Sequence, residues 1–227
     1  MCGRYKLQHP HWVEHDFAAV FPTLADVVRR PRYNIAPGQL VLAVSPGPGS
    51  RTLEQMHWGI AAPWKGGPAR IINARAEKLA ASRFWKPLFE QGRCAIPADG
   101  FYEWRAAPQG GGRKQPFLFG RADGAGFWFA GVRSAAREQD APAANECAIV
   151  TVEPNDLVEG VHDRMPALLD RDDLAEWLEG APSDALGALR PYPSAEMSAR
   201  AIDPAIGNPS REGPQLIAPA AQAPPQI

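Results

Sequence analysis

The sequence predicts an α+β fold: a single domain with a curved, largely antiparallel, barrel-like sheet and a few peripheral helices. Three observations carry this expectation. Short apolar runs of strand length recur along the chain, "LVLAVSPG" at 40–47 and "ECAIVTVEPN" at 146–155 among them. Gly and Pro, 21 and 24 residues respectively, close many of these runs with turns. Segments with helical periodicity are few and short.

The elements follow in order. "PHWVEHDFAAVFP" (10–22) reads as a short amphipathic helix with Trp12, Phe17, Val20 and Phe21 on its apolar side. "LVLAVSPG" is a β-rich run ended by a Pro/Gly turn, and "LEQMHWGIAAPW" (53–64) is a strand that runs into a loop. "RIINARAEKLAASRFWKPLFEQG" (70–92) starts extended, becomes helical and stops at Gly92. "RCAIPADGFYEWR" (93–105) reads as two strands around the Asp99-Gly100 turn. "QPFLFGRADGAGFWFAGVRS" (115–134) is a further strand–turn–strand unit. "ECAIVTVEPN" is a buried strand, and "DRDDLAEWLEG" (170–180) is a capped helix. The domain is expected over 2–219, with "AAQAPPQI" (220–227) as a disordered tail.

Composition narrows the function classes. A chain of 227 residues with 45% hydrophobic content can bury a real core. No apolar run approaches the length of a membrane span, and the first residues lack the apolar core of a signal peptide. Cys2, Cys94 and Cys147 form an odd, sparse set without C-x-x-C. That argues against a disulfide framework or a zinc finger and for a reducing, cytoplasmic setting. Net charge is −1, but it is unevenly spread. Residues 65–93 hold Lys65, Arg70, Arg75, Lys78, Arg83, Lys86 and Arg93 against Glu77 and Glu90. A local basic face can attract a polyanion whatever the overall charge; a solvated helix face is the other reading.

Strand alternation sorts the polar candidates. In "IINAR", Ile71, Asn73 and Arg75 share one side. In "GFYEW", Phe101 and Glu103 share a face opposite Tyr102 and Trp104. Two readings of Glu103 stand open: a strand-surface glutamate, or a carboxyl held out of water and tuned toward acid–base work. If "GVHDRMP" is extended, His162 and Arg164 point the same way, a proton-exchanging group beside a phosphate binder; a structural or solvated histidine is the other reading. His9, His11 and His15 match no zinc signature, His57 reads as a packed strand residue, and no metal is expected. Cys94 and Cys147 sit in apolar strands as core thiols. Cys2 is different. Aminopeptidases remove Met1 when the next side chain is small, which would leave Cys2 with a thiol and a free α-amine on one two-carbon frame; an ordinary chain terminus is the bland alternative.

"MCGRY", "RYNIAPGQ", "HWGIAAPW", "INARAEK", "RCAIPADGFYEW" and "VHDRMP", in that order, resemble the SOS-response-associated peptidase (SRAP) family, the abasic-site processing proteins. The resemblance runs from Cys2 to about Pro219. It implies a catalytic group of Cys2, Asn73, Glu103 and His162. It implies phosphate contacts from Arg4, Arg75, Arg83 and Arg164, a further DNA contact at Asn34, and Pro37 and Trp64 against the bases beside the lesion. The implied partner is single-stranded DNA with an abasic site, met by a monomer without cofactor or membrane, in the cytoplasm or at the nucleoid. The implied reaction joins the Cys2 amine and thiol to the ring-opened sugar aldehyde as a thiazolidine, with peptidase- or lyase-like chemistry at the amino terminus. Three other classes compete: an N-terminal-cysteine amidohydrolase, which would release ammonia from glutamine; a thiol peptidase built on Cys2 and His162; and a non-covalent single-strand binder indifferent to Cys2.

Overall fold

The computed structural model describes residues 2–16, 30–47, 50–62, 69–107, 112–134 and 145–220. Among these described residues the framework is two sheets packed on each other. The five-stranded sheet contains β1 (Tyr5–Leu7), β2 (Arg32–Ile35), β9 (Gly100–Arg105), β10 (Gln115–Arg121) and β15 (Met197–Ala201), in the order β15-β10-β9-β1-β2. The eight-stranded sheet contains β3 (Leu40–Gly47), β4 (Ser50–Trp58), β7 (Asn73–Arg75), β8 (Arg93–Ala98), β11 (Phe127–Ser134), β12 (Glu146–Val152), β13 (Met165–Pro166) and β14 (Leu168–Leu169). Pairing of β12 with both β4 and β11 closes β12, β4, β3, β8 and β11 into a ring. Closure removes the free edges that an open sheet would leave. All named pairs are antiparallel except β12 with β4 and β12 with β7. A separate hairpin joins β5 (Ile60–Ala61) to β6 (Arg70–Ile71).

The strand read at 40–47 matches β3, and the strand read from residue 53 lies within β4 and β5. The paired units around 99 and 115–134 come out differently. Their strands are there, but β8 and β11 belong to the ring while β9 and β10 belong to the other sheet. Asp99 is therefore a corner between sheets, not the tip of a hairpin. Its carboxylate accepts from Lys6 Nζ, Gln8 N and His9 N, each at 2.7 Å. Those donors pull the chain from β8 across to β1 and β9. Gly100 makes the crossing possible, because a Cβ there would meet Leu118 Cδ1 and Lys6 Cε at 2.8 Å.

Among the described residues six helices lie around the sheets: α1 (His11–Asp16), α2 (Ala76–Leu79), α3 (Trp85–Gln91), α4 (Asp156–Glu159), α5 (Arg171–Glu179) and α6 (Pro182–Gly187). The helix expected to run to Gly92 is broken between α2 and α3, where Ser82 Oγ accepts from Phe84 N and Trp85 N and starts the second piece. Of the apolar side read for α1, Phe17, Val20 and Phe21 lie outside the described residues, and Trp12 packs edge-on to Trp128 at 5.0 Å. The capped helix is α5: Asp170 Oδ1 accepts from Asp172 N and Asp173 N, a cap whose loss costs about 1 kcal/mol. Trp177 fixes α5 to the ring by donating Nε1–H to the Cys94 carbonyl at 2.8 Å.

The main core fills the space between the sheets. Tyr5 meets Trp58 and Phe129 edge-on at 5.5 and 5.4 Å, and Phe101 stacks on Phe119 at 5.2 Å. A smaller cluster of Tyr102, Leu118, Ile202, Ile206 and Leu216 lies on the other face of the five-stranded sheet. The segment 202–217, with 3₁₀ turns at Pro204–Gly207 and Pro214–Ile217, covers that face. Among the described residues no helix is long and apolar enough to cross a membrane.

Candidate functional site

The site forms where the amino-terminal strand, β7, β9 and the segment after α4 converge. Cys2 lies three residues before β1 and is fully buried. Asn73 opens β7, whose parallel pairing with β12 sets Asn73 opposite Ile149. The residue before it is pinned twice: the Ile72 carbonyl accepts from Trp58 Nε1 and from Ile149 N, both at 3.0 Å. So anchored, Asn73 Nδ2 donates to the Cys2 carbonyl at 3.0 Å. This bond grips the main chain of Cys2 without engaging its thiol.

Glu103 arrives from β9. Phe101 belongs to the main core and Tyr102 to the cluster on the opposite face, so strand alternation turns Glu103 inward with Phe101. It is buried to 3% exposure. Burial raises its carboxyl to about 7, an acid poised to give and take protons near neutral pH. His162 comes from the other side. Asn155 caps α4 by accepting from Val158 N at 3.0 Å, and the Val158 carbonyl accepts from His162 N at 2.9 Å. His162 Nε2 lies 3.9 Å from Glu103 Oε2, inside ion-pair range but beyond a hydrogen bond. Its Nδ1 accepts the Arg164 backbone N–H at 3.0 Å, which in the neutral ring leaves the proton on Nε2, toward Glu103. Burial also lowers the pKa of His162. Burial, with the Glu103 charge added to it, drives the Cys2 thiol upward, so the site favours thiol over thiolate. Cys94, pushed up to about 12, and Cys147, raised well above its ordinary value, are likewise held as thiols by burial.

The residues expected to touch DNA divide. Arg75, the last residue of β7, and Arg83, between α2 and α3, are exposed, with Lys78 and Lys86 exposed in the same stretch. Pro37 is exposed in the turn between β2 and β3, and Trp64 lies outside the described residues. Arg4, Asn34 and Arg164 have protein partners. Arg164 is buried and donates Nη2–H to Glu77 at 2.9 Å and to the Thr151 carbonyl at 2.7 Å. Arg4 donates to Asn34 Oδ1 and to the carbonyls of Ile206 and Gly207.

Two features had no sequence signal. Asp163 Oδ1 stands 3.0 Å from His162 Nδ1, ready to receive a proton-bearing Nδ1 if the ring charges. Beside it opens a cleft of about 640 Å³ in which Glu153, Glu159 and Asp163 outnumber Arg105. The site is thus flanked by exposed cations after Asn73 and by carboxylates around His162. Among the described residues, no cluster of His, Cys, Asp and Glu has the makings of a metal site.

The arrangement has relatives. A family model described as SOS response associated peptidase (SRAP) matches residues 1–209. The abasic site processing protein YoqW of Bacillus subtilis is 33% identical, over 96% of this chain and 99% of its own. The abasic site processing protein YedK of Escherichia coli is 32% identical, over 96% of this chain and 100% of its own. A crystal structure of a protein from Bacteroides thetaiotaomicron superimposes with a TM-score of 0.81, covering 96% of this chain and 100% of that one at 18% identity, a likeness of fold.

Proposed function

Because the chain belongs to the SOS response associated peptidase family, we propose that it recognises abasic sites in single-stranded DNA and captures them as a covalent crosslink on Cys2. The observation that carries this reading is the meeting of Cys2, Asn73, Glu103 and His162 at one point, with the Cys2 main chain gripped by Asn73.

The chemistry follows from the groups present. Removal of Met1 frees the Cys2 α-amine, whose ordinary pKa of about 7.7–8 leaves a useful neutral fraction at physiological pH. The amine adds to C1′ of the ring-opened sugar aldehyde and gives a carbinolamine. Glu103, with its carboxyl raised to about 7, gives the hydroxyl the proton with which it leaves as water, and the resulting carboxylate takes back the proton that the nitrogen sheds as the imine forms. The thiol then adds to the imine carbon, and its proton passes to the ring nitrogen. One C–N bond and one C–S bond form, and one water departs. Amine and thiol share a frame, so the second attack is intramolecular and strongly favoured. A buried, neutral thiol suits this order, because the amine must react first. His162, with its proton on Nε2, faces the same space and can hold the sugar oxygen. Arg75 and Arg83 supply cations for flanking phosphates, and exposed bases beside the lesion would stack on Trp64 and Pro37.

Incubation with a single-stranded oligonucleotide made abasic by uracil excision, followed by denaturing electrophoresis, tests the reading. Wild type should shift to a covalent species whose mass is that of protein plus oligonucleotide less one water. Cys2→Ala should lose it, as should a chain shown by intact mass spectrometry to keep a residue before Cys2. A stable adduct in either variant at wild-type yield would overturn the thiazolidine.

A further inference from the structure

The segment 202–217 packs on the face of β9 opposite Glu103, yet it is tied to the amino-terminal segment that carries Cys2. We infer that Arg4 and Asn34 are positioning residues: together they clasp segment 202–217 to the amino-terminal strand and thereby set the place of Cys2. The inference rests on the crosslinking function proposed above.

Arg4 works in two directions. Its main-chain carbonyl accepts from Tyr102 N at 3.0 Å, and Cys2 Sγ lies 3.9 Å from that same oxygen. Its guanidinium points the other way, donating to Asn34 Oδ1 at 2.6 Å, the Ile206 carbonyl at 2.8 Å and the Gly207 carbonyl at 3.0 Å. Asn34 completes the clasp. It is 1% exposed, and its Nδ2 donates to the carbonyls of Asn208 and Arg211, both at 2.9 Å. Both N–H donors of that amide and its oxygen are engaged within the protein. Tyr33, next to Asn34, adds two links: its carbonyl accepts from Tyr102 Oη at 2.6 Å, and its N–H donates to Glu212.

The same segment buries Ile206 and Leu216 against Tyr102 and Leu118. Tyr102 is the residue before Glu103, on the opposite face of β9. The segment therefore braces β9 from behind while Glu103 projects into the site, and Arg4 braces Cys2. A planar fork with fixed acceptors transmits position well, because a guanidinium loses several directed bonds if the strand shifts. Capture by two tethered nucleophiles depends on placement within fractions of an ångström.

The alternative is that Arg4 and Asn34 contact DNA, and the two roles separate in kinetics. The experiment compares wild type, Arg4→Gln, Arg4→Lys and Asn34→Asp at a temperature where circular dichroism shows each folded. Two quantities are read: the dissociation constant for an intact oligonucleotide across a salt series, and the single-turnover crosslinking rate at saturating abasic oligonucleotide. For positioning, Arg4→Gln and Asn34→Asp should slow crosslinking at saturation by at least about tenfold, with affinity and salt slope at wild-type values. Arg4→Lys, which keeps one charged donor, should fall between them and wild type. Weaker binding with a shallower salt slope in Arg4→Gln, or wild-type rates in both Arg4→Gln and Asn34→Asp, would overturn the clasp. Should Arg4→Gln not fold, Asn34→Asp alone decides by the same rate. Failure of wild type to crosslink would instead overturn the proposed function.

Discussion

Arg75 and Arg164 meet at one residue of β12 and live in different surroundings. Arg75 pairs with Thr151 through the backbone of β7, and its side chain is exposed. Arg164 reaches the Thr151 carbonyl with its guanidinium, and its side chain is only 10% exposed. The first has no ion pair among the described residues, whereas the second is bound to Glu77 and to main chain. Arg4 and Arg83 repeat the contrast, one forked onto carbonyls and the other exposed. The lesson is that residue type and motif nominate a phosphate binder, but the acceptors already within reach decide whether a guanidinium serves the fold or a partner.

Stability gives the largest separation. Arg164→Ala leaves the Thr151 carbonyl without that donor and Glu77 without its cation, and should destabilise the protein by about 2–4 kcal/mol. Arg75→Ala should stay within about 0.5 kcal/mol of wild type. Urea unfolding monitored by tryptophan fluorescence measures both. Equal effects would erase the distinction between the two arginines.

A second separation sets Glu103 against Glu77, which is half-exposed beside Arg164. Burial raises the carboxyl of Glu103 from 4.5 to about 7, so the folded state holds its proton more tightly than the unfolded chain does. Its contribution to stability is then complete below pH 4.5 and is lost as pH rises toward and through 7. The loss is on the order of 1–3 kcal/mol. Glu103→Gln should flatten that part of the stability profile between about pH 4.5 and 8, and Glu77→Gln should not. A variant profile parallel to wild type would place Glu103 in a wetter setting than its burial indicates.

Which of these roles could be read without a fold depends on the distance between partners. That Glu103 shares a face with Phe101 was legible, because alternation in "GFYEW" sorts the pair from Tyr102 and Trp104; which of two aromatic-bearing faces turns inward was not, since both faces pack apolar side chains. So was α5, where Asp170 and Gly180 mark both ends locally. The strand at 40–47 declares itself by an apolar run and a turn. Arg4 could not be read this way: its acceptors lie 30, 202 and 203 residues along the chain. Asn34 reaches acceptors 174 and 177 residues away, in a segment with no strong periodicity. Asp99-Gly100 misled for a related reason. The dipeptide does mark a reversal, but the donors that occupy Asp99 come from residues 6, 8 and 9, and they turn a local hairpin signal into a crossing between sheets.

The exposed arginines should speak in binding. Arg75→Glu combined with Arg83→Glu should weaken affinity for an intact single strand by about tenfold at low salt, or ~1.4 kcal/mol. Each lost phosphate contact should also flatten the salt dependence by about 0.7 in log–log slope. Fluorescence anisotropy across a salt series gives both numbers. Unchanged affinity at low salt would remove these residues from the interface and with them half of the comparison.

The smallest effect comes from the opposite flank. Glu153, Glu159 and Asp163 line the cleft beside His162, and a phosphate backbone crossing it would meet carboxylates at close range. If the strand runs over Arg75 and Arg83, this rim repels it and keeps it to one side. Glu159 is the cleanest probe, because it is exposed at the end of α4 and makes no ion pair among the described residues. Glu159→Lys should leave unfolding within about 0.5 kcal/mol of wild type, since surface charges away from buried partners change little. Affinity for an intact strand should rise by about twofold at low ionic strength. The gain should vanish near 1 M salt, where the Debye length shrinks to about 3 Å. The same substitution in the Arg75→Glu, Arg83→Glu background separates a general field from a local path. A general field adds the same factor in both backgrounds. A local path gives the new cation more influence once the strand is released from its basic side, and the gain then exceeds about twofold. A fall in affinity on Glu159→Lys would mean that DNA shuns this flank for reasons other than charge, and that the contrast between the two sides of the site is steric.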